Sequence, residues 1–165
     1  MGKKVALLGM CSAGAILLGY VESLIPVFFF VPGMKLGLAN LAVVLTLYFF
    51  SPRDALIVQL VRIVVVGFLF GNLFSIAFSL AGGLLSLGFM CPAKRYGGFT
   101  VYGVSVAGGV THNIGQICVA AVLVENARII YYLPFLLLSG LVTGLLIGLL
   151  SHEMMKRLGG YLKTM

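Results

Sequence analysis

Six long apolar runs, parted only by short breaks of proline, glycine and charge, constrain this chain more than any other feature. They lie near residues 5–23, 33–50, 54–70, 73–90, 103–124 and 129–150, each about 17 to 22 residues. At a rise of about 1.5 Å per residue, each is long enough to cross a hydrocarbon core of about 30 Å as a helix. With 61% of residues hydrophobic and 9% charged, too little polar surface is available to solvate a globular fold in water. The pattern predicts an all-α membrane protein, a bundle of six transmembrane helices.

The whole chain, 1–165, reads as a single integral membrane domain, with no linker-like tract and no internal repeat. Its N-terminal run follows Lys3 and Lys4 as a leader's would, but a removable leader leaves five further runs unexplained, and it is read as the first span. Cys11, Cys91 and Cys118 are far apart, odd in number and outside any CxxC spacing. They suggest small packing residues, with no disulfide framework and no metal site.

Cations set the expected orientation. With a cytoplasmic N-terminus, that side holds Lys3, Lys4, Arg53, Lys94, Arg95, Lys156, Arg157 and Lys163, against Lys35 and Arg128 outside. Eight against two predicts a cytoplasmic-membrane protein with both termini cytoplasmic. The net charge of +7 is then accounted for by anionic lipid, and nucleic acid is not an expected partner.

Polar residues inside the apolar runs are the candidate site. The stretch VPGMKLGLANL places Lys35 and Asn40 at the outer part of the second run. Gln59 and Arg62 lie three residues apart in the third run, on one helix face. THNIGQ in the fifth run carries His112, Asn113 and Gln116, while Asn72, Ser75 and Ser79 form a stripe at the start of the fourth. An arginine at mid-span costs about 2.5 to 3.5 kcal/mol even on the mildest scale, so Arg62 must face the bundle interior. Asp54 falls at the inner end of its run and Glu22 and Glu125 at outer ends. No carboxylate is therefore expected at the depth of Arg62, which suggests that its anion is a ligand. The plainer alternative is neutralisation by amides such as Asn113 and Gln116. Lys35 taken alone reads as a snorkelling interfacial residue, and His112 suits an interhelical hydrogen bond as well as a site.

Leu24 to Gly33, LIPVFFFVPG, suits either an aromatic interface belt or an apolar cover carrying Phe28 to Phe30 over an outward pocket. Small residues recur at four-residue spacing in two places: Gly9 with Ala13 and Ala15 with Gly19 in the first run, and Gly140, Gly144 and Gly148 in the sixth. Such ridges let helix backbones approach closely, and two of them leave one free for a partner subunit.

PGMKLGLAN, the third-run arginine followed by a glycine-containing helix end, and THNIGQ together resemble the Gx transporter family. These proteins are also labelled heptaprenyl diphosphate synthase component I-like membrane proteins and are grouped with the S components of energy-coupling factor (ECF) transporters. The resemblance runs from the first helix to the sixth and is most specific in KLGLAN. It implies a substrate-binding subunit that captures a vitamin-like or precursor molecule and docks on a transmembrane coupling subunit with two ATPases. S components typically dock through an alanine-x-x-x-alanine pattern in helix 1. Here that pattern departs to Gly9/Ala13 and Ala15/Gly19, the expected docking residues.

Catalysis by the chain itself is not expected. Prenyl diphosphate synthases need several carboxylates to bridge magnesium to diphosphate, and this sequence has one aspartate and three isolated glutamates. It has no GxxxxGK[ST] phosphate loop, so no cofactor is expected on this chain and any ATP is hydrolysed by partner ATPases. A noncatalytic accessory to prenyl synthesis is the main alternative. A channel or secondary transporter fits less well, because no mid-span acid or inverted repeat is visible. The expected pocket comprises Lys35, Asn40, Arg62, Asn113 and Gln116, with His112 as a further member. Cations and amides suit an anionic or carbonyl-bearing ligand, such as a quinone or isoprenoid precursor or a flavin- or thiamine-like vitamin.

Overall fold

The computed structural model describes residues 2–25, 37–123, 125 and 127–163, apart from the side chains at 127, 128 and 160–163. Among these residues the chain forms α1 (Gly2–Leu24), α2 (Leu38–Phe49), α3 (Pro52–Phe70), α4 (Leu73–Tyr96), α5 (Val101–Leu123) and α6 (Leu133–Lys163), with a 3-10 turn at Ala127–Tyr132 and no strand. Helices are the expected solution in hydrocarbon, because each satisfies its own backbone hydrogen bonds where no water can.

Four of these helices are long and apolar enough to span a membrane: α1, α4, α5 and the segment Ile129–Gly159 containing α6. The protein is a multi-pass, all-α membrane bundle. α3 has the length, at 19 residues, but carries Arg53, Asp54 and Arg62. α2 is described over 12 residues, about 18 Å at the helical rise and short of the span expected from Gly33 to Phe50. Two helices exceed their expected limits. α4 continues through Pro92 to Tyr96, because a proline one turn from the helix end removes only one hydrogen bond there. α6 runs past Leu150 to Lys163 on a polar turn in which Arg157 Nε bonds Glu153 Oε1 at 2.7 Å.

Local chemistry fixes the helix ends. Ser51 and Asp54 form a reciprocal cap at the start of α3, with the Asp54 N–H donating to Ser51 Oγ at 3.3 Å and the Ser51 N–H to Asp54 Oδ2 at 3.1 Å. Pro52 supplies the preset first helical residue. Lys4 Nζ lies 2.9 Å from Asp54 Oδ2 and ties the start of α1 to the same corner. At the end of α2, Lys94 Nζ donates to the Leu47 carbonyl at 2.6 Å and sits 4.8 Å from the Tyr48 ring centroid. Asn72 caps α4 by accepting from the Ser75 N–H at 2.8 Å, so these two members of the expected polar stripe have a local structural role.

The bundle has two halves. α1, α2 and α3 pack on one another, as do α4, α5 and α6 around central α5, while α3 with α4 and α2 with α6 join the halves. Val43, Val44 and Leu47 of α2 meet Leu87, Val104 and Ile147 in the main apolar core. The outer surface carries large apolar side chains such as Leu17, Phe68, Leu73 and Leu138, as a surface solvated by lipid tails should.

Glycines set the spacing of the second half. A Cβ on Gly140 would come within 2.8 Å of the Gly109 carbonyl oxygen, one on Gly144 within 2.8 Å of Val106 Cα, and one on Gly148 within 2.9 Å of Tyr102 Cα. The α6 ridge is therefore consumed by α5. The α1 ridge divides. Ala15 is fully buried in a cluster with Ala42 and Val58, and a Cβ on Gly19 would press on Val66 Cγ2 at 3.0 Å. The expectation that Ala15 and Gly19 dock a partner is thus corrected, because the chain's own α2 and α3 occupy that face. Gly9 and Ala13 remain exposed, and a Cβ on Gly9 would meet nothing within 4 Å.

Candidate functional site

Arg62 sits at the middle of α3 and enters the bundle at the junction of the two halves. Its Nε and Nη2 donate to the Gln59 amide oxygen at 3.3 and 3.1 Å, and Nη2 also donates to Asn40 Oδ1 at 3.2 Å. Gln59 lies one turn before Arg62 on the same helix and is 1% exposed. It can lie there because Gly83 of α4 has no side chain; a Cβ at that position would run into Gln59 Nε2. The arginine is thus held by two neutral amide oxygens, one from its own helix and one from α2.

A cavity opens beside this group, lined by Glu22, Gly37, Asn40 and Arg62 from the first half and by Ser79, Gly109, His112, Asn113 and Thr143 from the second. It is small, about 30 Å³, which is room for one or two waters. A second hollow shares Gly37, Asn40, Gly109 and Thr143 with it and continues between Val44, Ser86, Met90, Ser105 and Ile147. The first space is rich in polar groups, whereas the second has a mixed wall of small and apolar residues.

Glu22 changes the electrostatics expected at Arg62. The residue is 9% exposed and lines the same cavity as Arg62, bringing a carboxylate to the space that the guanidinium faces. Among the described residues the ion pairs are Lys4 with Asp54 and Arg157 with Glu153, so Glu22 and Arg62 face one cavity without closing on each other. Glu22 Oε1 instead accepts the Gly37 N–H at 2.5 Å. Gly37 has φ 74°, in the left-handed region where a Cβ is unfavourable, and its carbonyl accepts the Asn40 N–H at 2.9 Å. The start of α2 is therefore turned so that its first N–H meets α1 while Asn40 meets α3. The expectation that no carboxylate stands near Arg62 is corrected by this arrangement: Glu22 is at the end of its helix, yet that end folds over the cavity.

The sequence-derived site residues divide accordingly. Asn40, Arg62, His112 and Asn113 come together around one cavity. Asn113 also bridges helices, its Nδ2 donating to the Leu136 carbonyl at 2.6 Å. Gln116 does not line the cavity. It is buried one turn further along α5, with its Cγ where a Cβ on Gly82 would come within 3.0 Å. Lys35 and Phe28 to Phe30 lie outside the described residues. Glu22, Gly37, Gly109 and Thr143 also line the cavity and were not among the site residues read from sequence. Ser79, noted there only as part of a stripe, reaches it as well.

The arrangement offers recognition chemistry: a guanidinium, a carboxylate, an imidazole, amides and hydroxyls converging on a space inside an apolar bundle. Among the described residues no group of three or more His, Cys, Asp or Glu side chains is placed to hold a metal ion. The sequence profile of the family described as heptaprenyl diphosphate synthase component I matches residues 11–154. No curated protein and no solved structure matches the chain.

Proposed function

Since the chain belongs to the heptaprenyl diphosphate synthase component I family, we propose that it is a membrane-embedded binding subunit, the S component of an ECF-type importer. In this reading it captures a vitamin-like or precursor molecule outside the cell and passes it inward when partner ATPases drive a coupling subunit. The chain does no chemistry of its own. The observation that carries the proposal is the polar cavity around Arg62, built from both halves of an otherwise apolar bundle. A polar cavity in such surroundings is expensive to maintain, and intramembrane ionisable groups usually mark a ligand or ion path. The ligand presents a carbonyl or anionic oxygen to Arg62 and Asn40. Because the cavity has room for only one or two waters, entry of a larger molecule widens the seam between the halves.

The family's description supports a second reading, a noncatalytic membrane accessory of prenyl diphosphate synthesis. The two readings part in one experiment. The protein is purified from its native membrane, and small molecules released on denaturation are identified by mass spectrometry, with Arg62→Gln as comparison. An importer subunit yields a water-soluble compound that Arg62→Gln loses, and cells lacking the protein fail to accumulate it. An isoprenoid diphosphate in its place, with uptake unaffected and prenyl products reduced, favours the accessory. Equal content in both proteins removes Arg62 from the site.

A further inference from the structure

Glu22 and Arg62 carry opposite formal charges into the same cavity, yet each is engaged elsewhere: the carboxylate by the Gly37 N–H, the guanidinium by the Gln59 and Asn40 amides. If the pair served only to neutralise Arg62, the economical arrangement would be a direct ion pair, which the structure does not form. Instead the space between them is lined on its far side by Ser79, His112, Asn113 and Thr143.

The two charges then bear on what binds best. Among the described lining residues the formally charged groups are one carboxylate and one guanidinium, and a ligand that offers only acceptor oxygens engages the guanidinium alone. A ligand that also offers an N–H donor meets both groups.

We infer that Glu22 is the specificity-determining residue of this cavity: its carboxylate accepts an N–H group of the ligand while Arg62 donates to an acceptor of the same molecule. The site favours a compound carrying both groups, zwitterionic or amide-like, over a simple anion of the same skeleton. This rests on the binding-subunit reading above and narrows its ligand class. Gln59 and Asn40 fix the guanidinium, and Gly37 fixes the carboxylate, so both ends of the ligand are positioned before it arrives.

Three compounds sharing one skeleton supply the test: phenylalanine as zwitterion, 3-phenylpropanoate as anion and phenethylamine as cation. Each is titrated against detergent-purified protein by calorimetry, and compounds co-purifying with wild type, Glu22→Gln and Arg62→Gln are identified by mass spectrometry. Wild type is expected to favour phenylalanine over 3-phenylpropanoate by about 10- to 100-fold, the value of one charged hydrogen bond. Glu22→Gln erases that preference, and Arg62→Gln weakens both acids while leaving Glu22 able to accept from phenethylamine. The co-purifying compound is expected to carry an N–H donor and to be lost from Glu22→Gln. A co-purifying simple anion, held equally by wild type and Glu22→Gln but lost from Arg62→Gln, overturns the role of Glu22 while the binding-subunit reading stands. No co-purifying compound and no binding of any of the three overturns both. Thermal unfolding of Glu22→Gln separates loss of selectivity from loss of fold, and Glu22→Asp, which keeps the charge, is expected to restore the preference in part.

Discussion

Gly109 of α5 and Gly140 of α6 are locked face to face: a Cβ on either would strike the backbone carbonyl oxygen of the other, at 2.8 Å in the case of Gly140. Gly109 also lines the cavity. The contact that seals the second half is therefore part of the site wall. Gly140→Leu is expected to destabilise the protein by about 1 to 3 kcal/mol or more, since no rotamer change relieves a clash with backbone. Gly9→Leu, which meets open space, serves as the matched control. Thermal unfolding in detergent checks both, and equal midpoints for the two variants would contradict the packing described.

Gln59→Glu distinguishes a guanidinium held ready for a ligand from one that merely packs. The substitution preserves shape and places a carboxylate where an amide oxygen now accepts from Nε and Nη2 of Arg62. A direct ion pair should keep the fold intact while, under the binding-subunit proposal, lowering retention of a co-purifying compound by about 10-fold or more, because the arginine is then already paired. Quantitative mass spectrometry alongside a thermal melt reads both quantities. Unchanged retention would argue that Arg62 does not touch the ligand.

Ala13 and Ala15, two residues apart on α1, are expected to respond oppositely to enlargement. Ala15→Leu must displace Ala42 or Val58 and should lower stability by about 1 to 3 kcal/mol. Ala13→Leu points out of the bundle and should leave the isolated protein's melting unchanged; if the chain is the importer subunit proposed above, the same change should reduce co-purification with a coupling subunit. Should Ala13→Leu leave that association intact, docking lies on another face.

Orientation is open to labelling. With the cations of the α2–α3 and α4–α5 corners and of the α6 tail facing the cytoplasm, a cysteine introduced at exposed Gly98 should react with an impermeant maleimide only after the membrane is opened. The background for this measurement is Cys11→Ser, Cys91→Ser and Cys118→Ser. Labelling of intact cells would invert the topology.

Much of the cavity's polar lining could be read from sequence because hydrocarbon makes polar residues conspicuous. Arg62, Asn40, His112 and Asn113 stand out against apolar neighbours, and each lines the cavity. Glu22 did not stand out, since a carboxylate at a helix end is unremarkable until the tertiary fold brings that end over Arg62. Gln116 lies off the cavity lining for the opposite reason: its four-residue spacing from His112 is right for one helix face, but Gly82 of α4 takes up the space in front of it. Small-residue ridges showed that close approach would occur but carried no address. Only the packed bundle reveals that α5 claims Gly140, Gly144 and Gly148, and that α2 and α3 claim Ala15 and Gly19.

The division into two halves makes the molecule mechanically lopsided. α4, α5 and α6 meet backbone to backbone, with Gly82 against His112 and Gly115 on one seam and Gly109 against Gly140 on the other, so they pack as one tight block. α1, α2 and α3 are held by side chains, among them Val66 beside Gly19 and the amides around Arg62, which can slide and re-pair. Any widening of the seam is therefore borne by the first three helices against a stationary wall. If a ligand widens the seam as proposed, Glu22, Asn40 and Arg62 travel with the first three helices, as do the outward-facing Gly9 and Ala13, so that a partner gripping α1 would hold the lever that opens and shuts the cavity.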